Sequence, residues 1–235
     1  MGKTELAVII PVYNEAEIIA QVVGDWDHAL KQLSMRYEIH VYNDGSKDGT
    51  LAVLEQIADQ YPSLNIHNKA NSGHGSTILT GYRENLDAEW IFQVDSDNEI
   101  SPVFFKQFWN ERSAYDFIAG IRAHAKRPVV REVVSSVSRL LTRTLYAKGN
   151  YDVNVPYRLM RSEAFAGLID KIPLNTFAPN VIISGCAALH KLRIREIPIS
   201  SNLRQSGEVS IKKWRLFKAV VKSFAQTIAY RFTHA

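Results

Sequence analysis

Apolar positions along this chain switch period in a regular way. Leu6 to Val12 is a continuous apolar run, which predicts a buried strand ended by Pro11-Val12-Tyr13-Asn14-Glu15. From Glu15 to Leu33 the spacing becomes helical, with Ile18, Ile19, Val22, Val23, Trp26 and Leu30 on one side. Ile39 to Tyr42 predicts a second strand, closed by Asn43-Asp44-Gly45-Ser46-Lys47-Asp48-Gly49-Thr50, and Leu51 to Tyr61 a second helix. Leu64 to His67 is a short third strand. The turn Asn71-Ser72-Gly73-His74-Gly75-Ser76 leads into a helix ending near Leu86, and Trp90 to Val94 is the fourth strand. Strands alternating with helices at this spacing predict βαβ units and a mostly parallel sheet, an α/β fold. The polar loops all follow strands, so they gather at the carboxyl edge, where open α/β sheets bind ligands.

The fourth strand runs into Val94-Asp95-Ser96-Asp97-Asn98-Glu99. Two carboxylates two residues apart at a strand end are expected to share a face. Held close, they repel unless a cation lies between them, and a hard divalent ion completed by phosphate oxygens would satisfy both. An exposed turn with local Asp and Asn hydrogen bonds is the alternative. Familiar nucleotide loops are absent: no G-x-G-x-x-G follows the first strand, and no G-x-x-x-x-G-K-S/T occurs.

The chain has 235 residues, 46% of them hydrophobic, enough for one domain with a sizeable core. A net charge of +4 favours anionic partners. Cys186 is the one cysteine and sits in an apolar run, so it reads as a core thiol in a reducing compartment. No apolar run reaches about 18 residues, so no spanning segment is expected, and the N-terminus does not read as a signal peptide. From Ile211 to Phe232, Trp214, Phe217, Val221, Phe224 and Ile228 form an apolar stripe among Lys212, Lys213, Arg215, Lys218 and Lys222. Three readings stay open for this tail: a helix on an anionic membrane surface, a helix packed on its own domain, or a homodimer contact. Boundaries follow as 1–210 for the domain and 211–235 for the amphipathic helix. The basic residues concentrate near 122–131 and in the tail rather than interleaving with aromatics, so a nucleic-acid partner is not expected.

The ordered set Pro11-Val12-Tyr13-Asn14-Glu15, Asn43 to Thr50, Asn71-x-Gly73-x-Gly75 and Asp95-x-Asp97 resembles family 2 glycosyltransferases of the GT-A fold. Later segments are similar to the polyprenyl-phosphate sugar synthase branch. Asp152 to Arg161 is similar to its D-x-x-S-G-F-R segment, and Glu196-Ile197-Pro198-Ile199 with Arg204-x-x-Gly207-x-x-Ser210 to its E-V-P strand and following loop. Two departures stand out: Asn43-Asp44 replaces a pair of aspartates, and Asn154-Val155-Pro156 replaces the Ser-Gly element.

The resemblance implies an inverting, metal-dependent transferase taking a UDP- or GDP-sugar donor and a polyprenyl-phosphate or glycan acceptor. It implies work in the cytoplasm, peripheral on the inner membrane face, in cell envelope glycan synthesis. A non-catalytic nucleotide-sugar-binding domain is the alternative. Implied donor-binding residues are Pro11, Tyr13, Asn14, Glu15, Asp44, Gly73, His74, Asp95 and Ser96. Asn14-Glu15 also reads as a helix start, Asp44-Gly45 as a tight turn, and His74 as a cap. Backbone N–H groups of the Asn71–Ser76 turn are expected near the donor. Mg2+ or Mn2+ would be held by Asp97 and Glu99, with Asp97 in the catalytic set. Arg122, Arg158, Arg204 and Ser210 are the implied acceptor-binding residues, since guanidinium binds phosphate bidentately. Lys126 and Arg131 read equally well as a solvated face. Asp152 has two roles open: general base for a hydroxyl acceptor, or orienter of Arg158 for an acceptor that is already anionic.

Overall fold

The computed structural model describes residues 3–122, 153–200 and 225–232. Its described strands form one sheet of seven, in the order β3-β2-β1-β4-β6-β5-β7. They are β1 (Leu6–Val12), β2 (Tyr37–Asp44), β3 (Leu64–Lys69), β4 (Trp90–Val94), β5 (Phe117–Arg122), β6 (Tyr157–Arg161) and β7 (Ile194–Ile199). The helices are α1 (Ile19–Lys31), α2 (Thr50–Ile57), α3 (His74–Glu84), α4 (Phe105–Glu111), α5 (Ser162–Ile169) and α6 (Pro179–Leu189). Residues 225–232 are also helical. β6 runs antiparallel to β4 and β5, and every other pairing is parallel. The expected boundary near 210 and the stripe from 211 to 224 lie outside the described residues.

β1 and β4 are buried along their whole length, as strands covered on both faces must be. The stripe on α1 packs its Trp26 ring 5.2 Å from Phe92 of β4, beside Phe105 and Tyr157. α3 lies on the sheet at Gly81, where a Cβ would stand 2.5 Å from Ile9 Cγ2. Glycine is needed there for close approach. Cys186 is buried in α6, and burial pushes its thiol up to about 12. Among the described residues no helix is long and apolar enough to cross a membrane.

Candidate functional site

Four parallel strands place their following loops on one edge. β1 ends level with β2, Val12 opposite Asn43, and β4 lies on the other side of β1. The chain moves outward through β2 and β3, then returns past β1 to form β4. This reversal makes the loops after β1 and β4 diverge, leaving the crevice where open α/β sheets bind ligands.

The first two loops are tied together. Asn14 sits at φ 56°, a left-handed conformation that Asn tolerates. Its N–H donates to Ser46 Oγ at 2.9 Å, and its Oδ1 accepts from the Lys47 N–H at 2.8 Å. Glu15 N–H donates to Thr50 Oγ1 and Ala16 N–H to Asp48 Oδ2. Pro11 is buried within β1, so it forms wall and offers no hydrogen-bond donor. Tyr13 is exposed beside the crevice.

Asn43 and Asp44 belong to β2 rather than to a loop. Asn43 is buried, and its Oδ1 accepts from Ser46 N and Oγ while its Nδ2 donates to Asn68 Oδ1 at 2.9 Å. An amide does both jobs, where a carboxylate would only accept. Asp44 was expected to face the donor. Instead its carboxylate accepts from Lys69 Nζ, from Ser72 N–H at 2.8 Å and from Gly73 N–H at 2.9 Å. Burial alone would raise its pKa, but Lys69, the Ser72 N–H and Thr77 hold it below the usual value. The N–H groups of Ser72 and Gly73 therefore donate to Asp44 within the protein. Gly73 at φ 90° forms the N-cap of α3, and His74 and Gly75 open its first turn.

β4 stops at Val94, and residues 96 and 97 form a turn with Asn98 at φ 54°. Strand alternation therefore does not extend to Asp97, contrary to the expectation; the turn sets its position. Asp97 Oδ1 accepts from Glu99 N–H at 3.1 Å. Ser96 is buried. Asp95 Oδ1 accepts from Gln93 Nε2 at 3.0 Å and lies 3.7 Å from His74 Nε2. Desolvation, with added repulsion from Asp97 and Glu99, pushes Asp95 up to about 6, against the pull of His74 and Arg122. Negative charge is thus concentrated at the mouth of the crevice. Among the described residues no three His, Cys, Asp or Glu side chains form a ready metal cage. That composition fits a hard ion that takes one or two carboxylates and fills its shell with donor phosphates and water.

Arg122 ends β5 on the same edge, close enough to act on Asp95. Arg158 departs from expectation. It is fully buried, and its guanidinium donates to the carbonyls of Val153, Val155 and Asn180 and to Ser184 Oγ. All five of its N–H positions are used inside the protein, so it holds β6 to α6 and reaches no acceptor. Asp152, Arg204, Ser210, Lys126, Arg127 and Arg131 lie outside the described residues.

Sequence reasoning passed over Lys69 and Gln93. A polar residue in the otherwise apolar run Trp90–Val94 was the available signal for Gln93, which is buried. Its partners Tyr82 and Asn180 come from α3 and α6 and carried no local signal.

Comparison with known proteins bears on this crevice. The chain is 25% identical over 217 residues to a dolichyl-phosphate beta-glucosyltransferase of Dictyostelium discoideum, covering 83% of this chain and 65% of that one. It is 24% identical over 219 residues to an undecaprenyl-phosphate 4-deoxy-4-formamido-L-arabinose transferase of Yersinia enterocolitica, covering 92% and 64%. The chain thus spans just under two thirds of these relatives' length. Its fold is similar to that of glucosyl-3-phosphoglycerate synthase from Mycobacterium tuberculosis in complex with UDP (TM-score 0.70, 13% identity, 98% and 81% covered). A mannosyltransferase from Pyrobaculum calidifontis in complex with GDP-Man and Mn2+ is also similar (TM-score 0.66, 17% identity, 97% and 65% covered). These neighbours share the GT-A architecture. The model for glycosyl transferase family 2 matches residues 7–167, more than half of the sequence, and the chain belongs to that family.

Proposed function

We propose that this chain transfers a sugar, with inversion, from a nucleotide-sugar donor to a polyprenyl phosphate. The observation that carries the reading is the acidic mouth of the crevice, where burial, Asp97 and Glu99 together make Asp95 costly to ionise. Mg2+ or Mn2+, held by Asp97 and Glu99 together with the donor's diphosphate, would act as a Lewis acid on the departing nucleoside diphosphate. Tyr13 and the loop pair fixed by Asn14 and Ser46 flank the nucleoside. Asp95 and His74 line the side nearest the sugar. Arg122 supplies positive charge toward the acceptor. A polyprenyl-phosphate acceptor is supported by the two relatives, a dolichyl-phosphate and an undecaprenyl-phosphate sugar transferase. Being anionic already, it needs no base, so the general-base role open to Asp152 is not required. The basic, amphipathic tail would hold the enzyme on the inner membrane surface, where such an acceptor lies.

The test is calorimetric titration with UDP-glucose and with GDP-mannose, each with and without Mn2+, followed by transfer to a short polyprenyl phosphate. One donor should bind in a Mn2+-dependent way and turn over, and Asp97→Ala should abolish both. Equal turnover without a divalent ion would refute the metal assignment. A binding-only domain is favoured by Asn43, whose amide replaces a carboxylate of the family motif and is spent on Asn68 and Ser46. It predicts donor binding with neither transfer nor donor hydrolysis.

A further inference from the structure

Asp95 is held from behind by a chain of buried side chains. Gln93 and Asp95 share a face of β4 and its continuation, and Gln93 Nε2 donates to Asp95 Oδ1 at 3.0 Å. That contact decides the rest. A carboxylate only accepts, so the Gln93 amide must turn its Oε1 inward. There Asn180 Nδ2 donates to it at 2.8 Å. Asn180 Oδ1 is then the acceptor, and Tyr82 Oη stands 3.1 Å away as its donor. The hydroxyl lies equally near Gln93 Oε1, which can accept from Tyr82 as well as from Asn180, and either choice leaves the Gln93 amide donating outward. Behind Asn180, Arg158 grips its carbonyl at 3.1 Å and fixes the first turn of α6. Tyr82, Gln93 and Asn180 are all buried, so water does not compete for these bonds.

We infer that Tyr82, Asn180 and Gln93 form a one-way hydrogen-bond relay that positions Asp95 for the donor, beside the metal that Asp97 and Glu99 would hold. The inference rests on the proposed transferase reading. Every donor in the series points toward the carboxylate: Tyr82 to Asn180 or Gln93, Asn180 to Gln93, Gln93 to Asp95. Both described contacts of Asp95 fall on Oδ1. The relay thus holds Oδ1 and leaves Oδ2 outside its bonds. None of the three residues touches a ligand; they are positioning residues. Chains of this kind strengthen cooperatively and fail together when one link is reversed.

Reversal is achievable without changing shape. In Asn180→Asp, the new carboxylate has no hydrogen to give Gln93 Oε1. Gln93 must turn over to donate to it, and its Oε1 then confronts Asp95 Oδ1. Arg158 beside residue 180 and its place in the first turn of α6 both accommodate the added charge, so the fold should persist. Calorimetry would follow UDP-glucose and GDP-mannose binding to the full chain across Mn2+ concentrations, with circular dichroism as the fold control. In Asn180→Asp the Mn2+ needed for half-maximal donor binding should rise on the order of tenfold, as for other residues that orient metal-site carboxylates. In an Asp95→Asn background, whose amide can donate to an inverted Gln93, Asn180→Asp should change it less than about twofold. Tyr82→Phe, which removes only the first donor, should move it in the same direction by less. If wild-type chain binds neither nucleotide sugar, the transferase reading falls. If wild type binds and Asp97→Ala does not, yet folded Asn180→Asp keeps the wild-type Mn2+ requirement, the relay alone is overturned. Should Asn180→Asp not fold, an unchanged Mn2+ requirement in Tyr82→Phe overturns it equally.

Discussion

Replacing Asp44 by Asn separates a structural carboxylate from a ligand-binding one. Asp44 is buried at the end of β2 and gathers Lys69 and the N–H groups of Ser72 and Gly73. The isosteric amide can keep one oxygen facing Lys69 and Ser72 without charge, but turns an N–H2 group toward the Gly73 N–H. The bond from Gly73 is lost outright, the bond from Ser72 becomes neutral, and Lys69 keeps an acceptor but loses its counter-ion. At roughly 1.5–3 kcal/mol for a bond to a charged group and about half that for a neutral one, the loss is about 2–5 kcal/mol. For a chain of this size that lowers Tm by roughly 5–15 °C. The pH dependence gives a second signature. The folded pKa of Asp44 is depressed, so its contribution is complete above the unfolded value near 4 and is lost as pH falls through the folded one. Urea unfolding between about pH 3 and 6 should show a shallower acid limb in Asp44→Asn than in wild type. A variant as stable as wild type, with the same acid limb and weaker donor binding, would refute this account and return Asp44 to the donor.

Gly75→Ala should cost about 1–3 kcal/mol in chemical denaturation, because its Cβ would stand 2.3 Å from Thr176 O and 2.4 Å from Phe177 O, both backbone atoms. Arg158→Leu should destabilise by roughly 3–5 kcal/mol, stranding the carbonyls of Val153, Val155 and Asn180, as read from the urea midpoint. Were Arg158 a phosphate ligand, the loss would appear in acceptor affinity instead. Cys186, buried with its thiol pushed up to about 12, should resist an aromatic disulfide reagent at pH 8 and react at the rate of global unfolding.

Elements set by local apolar runs were legible from sequence. β1 and β4 occupy the expected residues, because a short, dominantly apolar run closed at both ends by turn residues reads as a covered strand. Limits set by distant partners were not. α1 begins at Ile19 rather than Glu15, since the Glu15 and Ala16 N–H groups go to Thr50 and Asp48. β2 runs on to Asp44 because Asn68 and Lys69 of β3 pair with its polar end. Arg158 matched a family motif whose name suggested phosphate, but its burial follows from standing opposite Gln93 in the β4–β6 register. Register depends on which strands meet, and no local pattern specifies that.

The polar groups at the carboxyl edge divide by how completely the protein satisfies them. Asn43, Asp44, Gln93 and Arg158 are buried, and each has its hydrogen bonds met by neighbours. Redirecting any of them to a ligand would leave a buried partner unmet, at a cost of about 1–3 kcal/mol per group. A ligand in the crevice therefore gains little from them directly. Under the proposed function, binding would draw on groups that keep solvent contact, such as Tyr13 and His74, and on the acidic loop after β4, where burial, Asp97 and Glu99 make Asp95 costly to ionise. A cation arriving with a diphosphate would relieve that cost without breaking existing bonds. The satisfied groups contribute by rigidity: they hold the loops 13–18, 70–73 and 95–99 in place before any ligand arrives, which lowers the ordering entropy that binding must overcome.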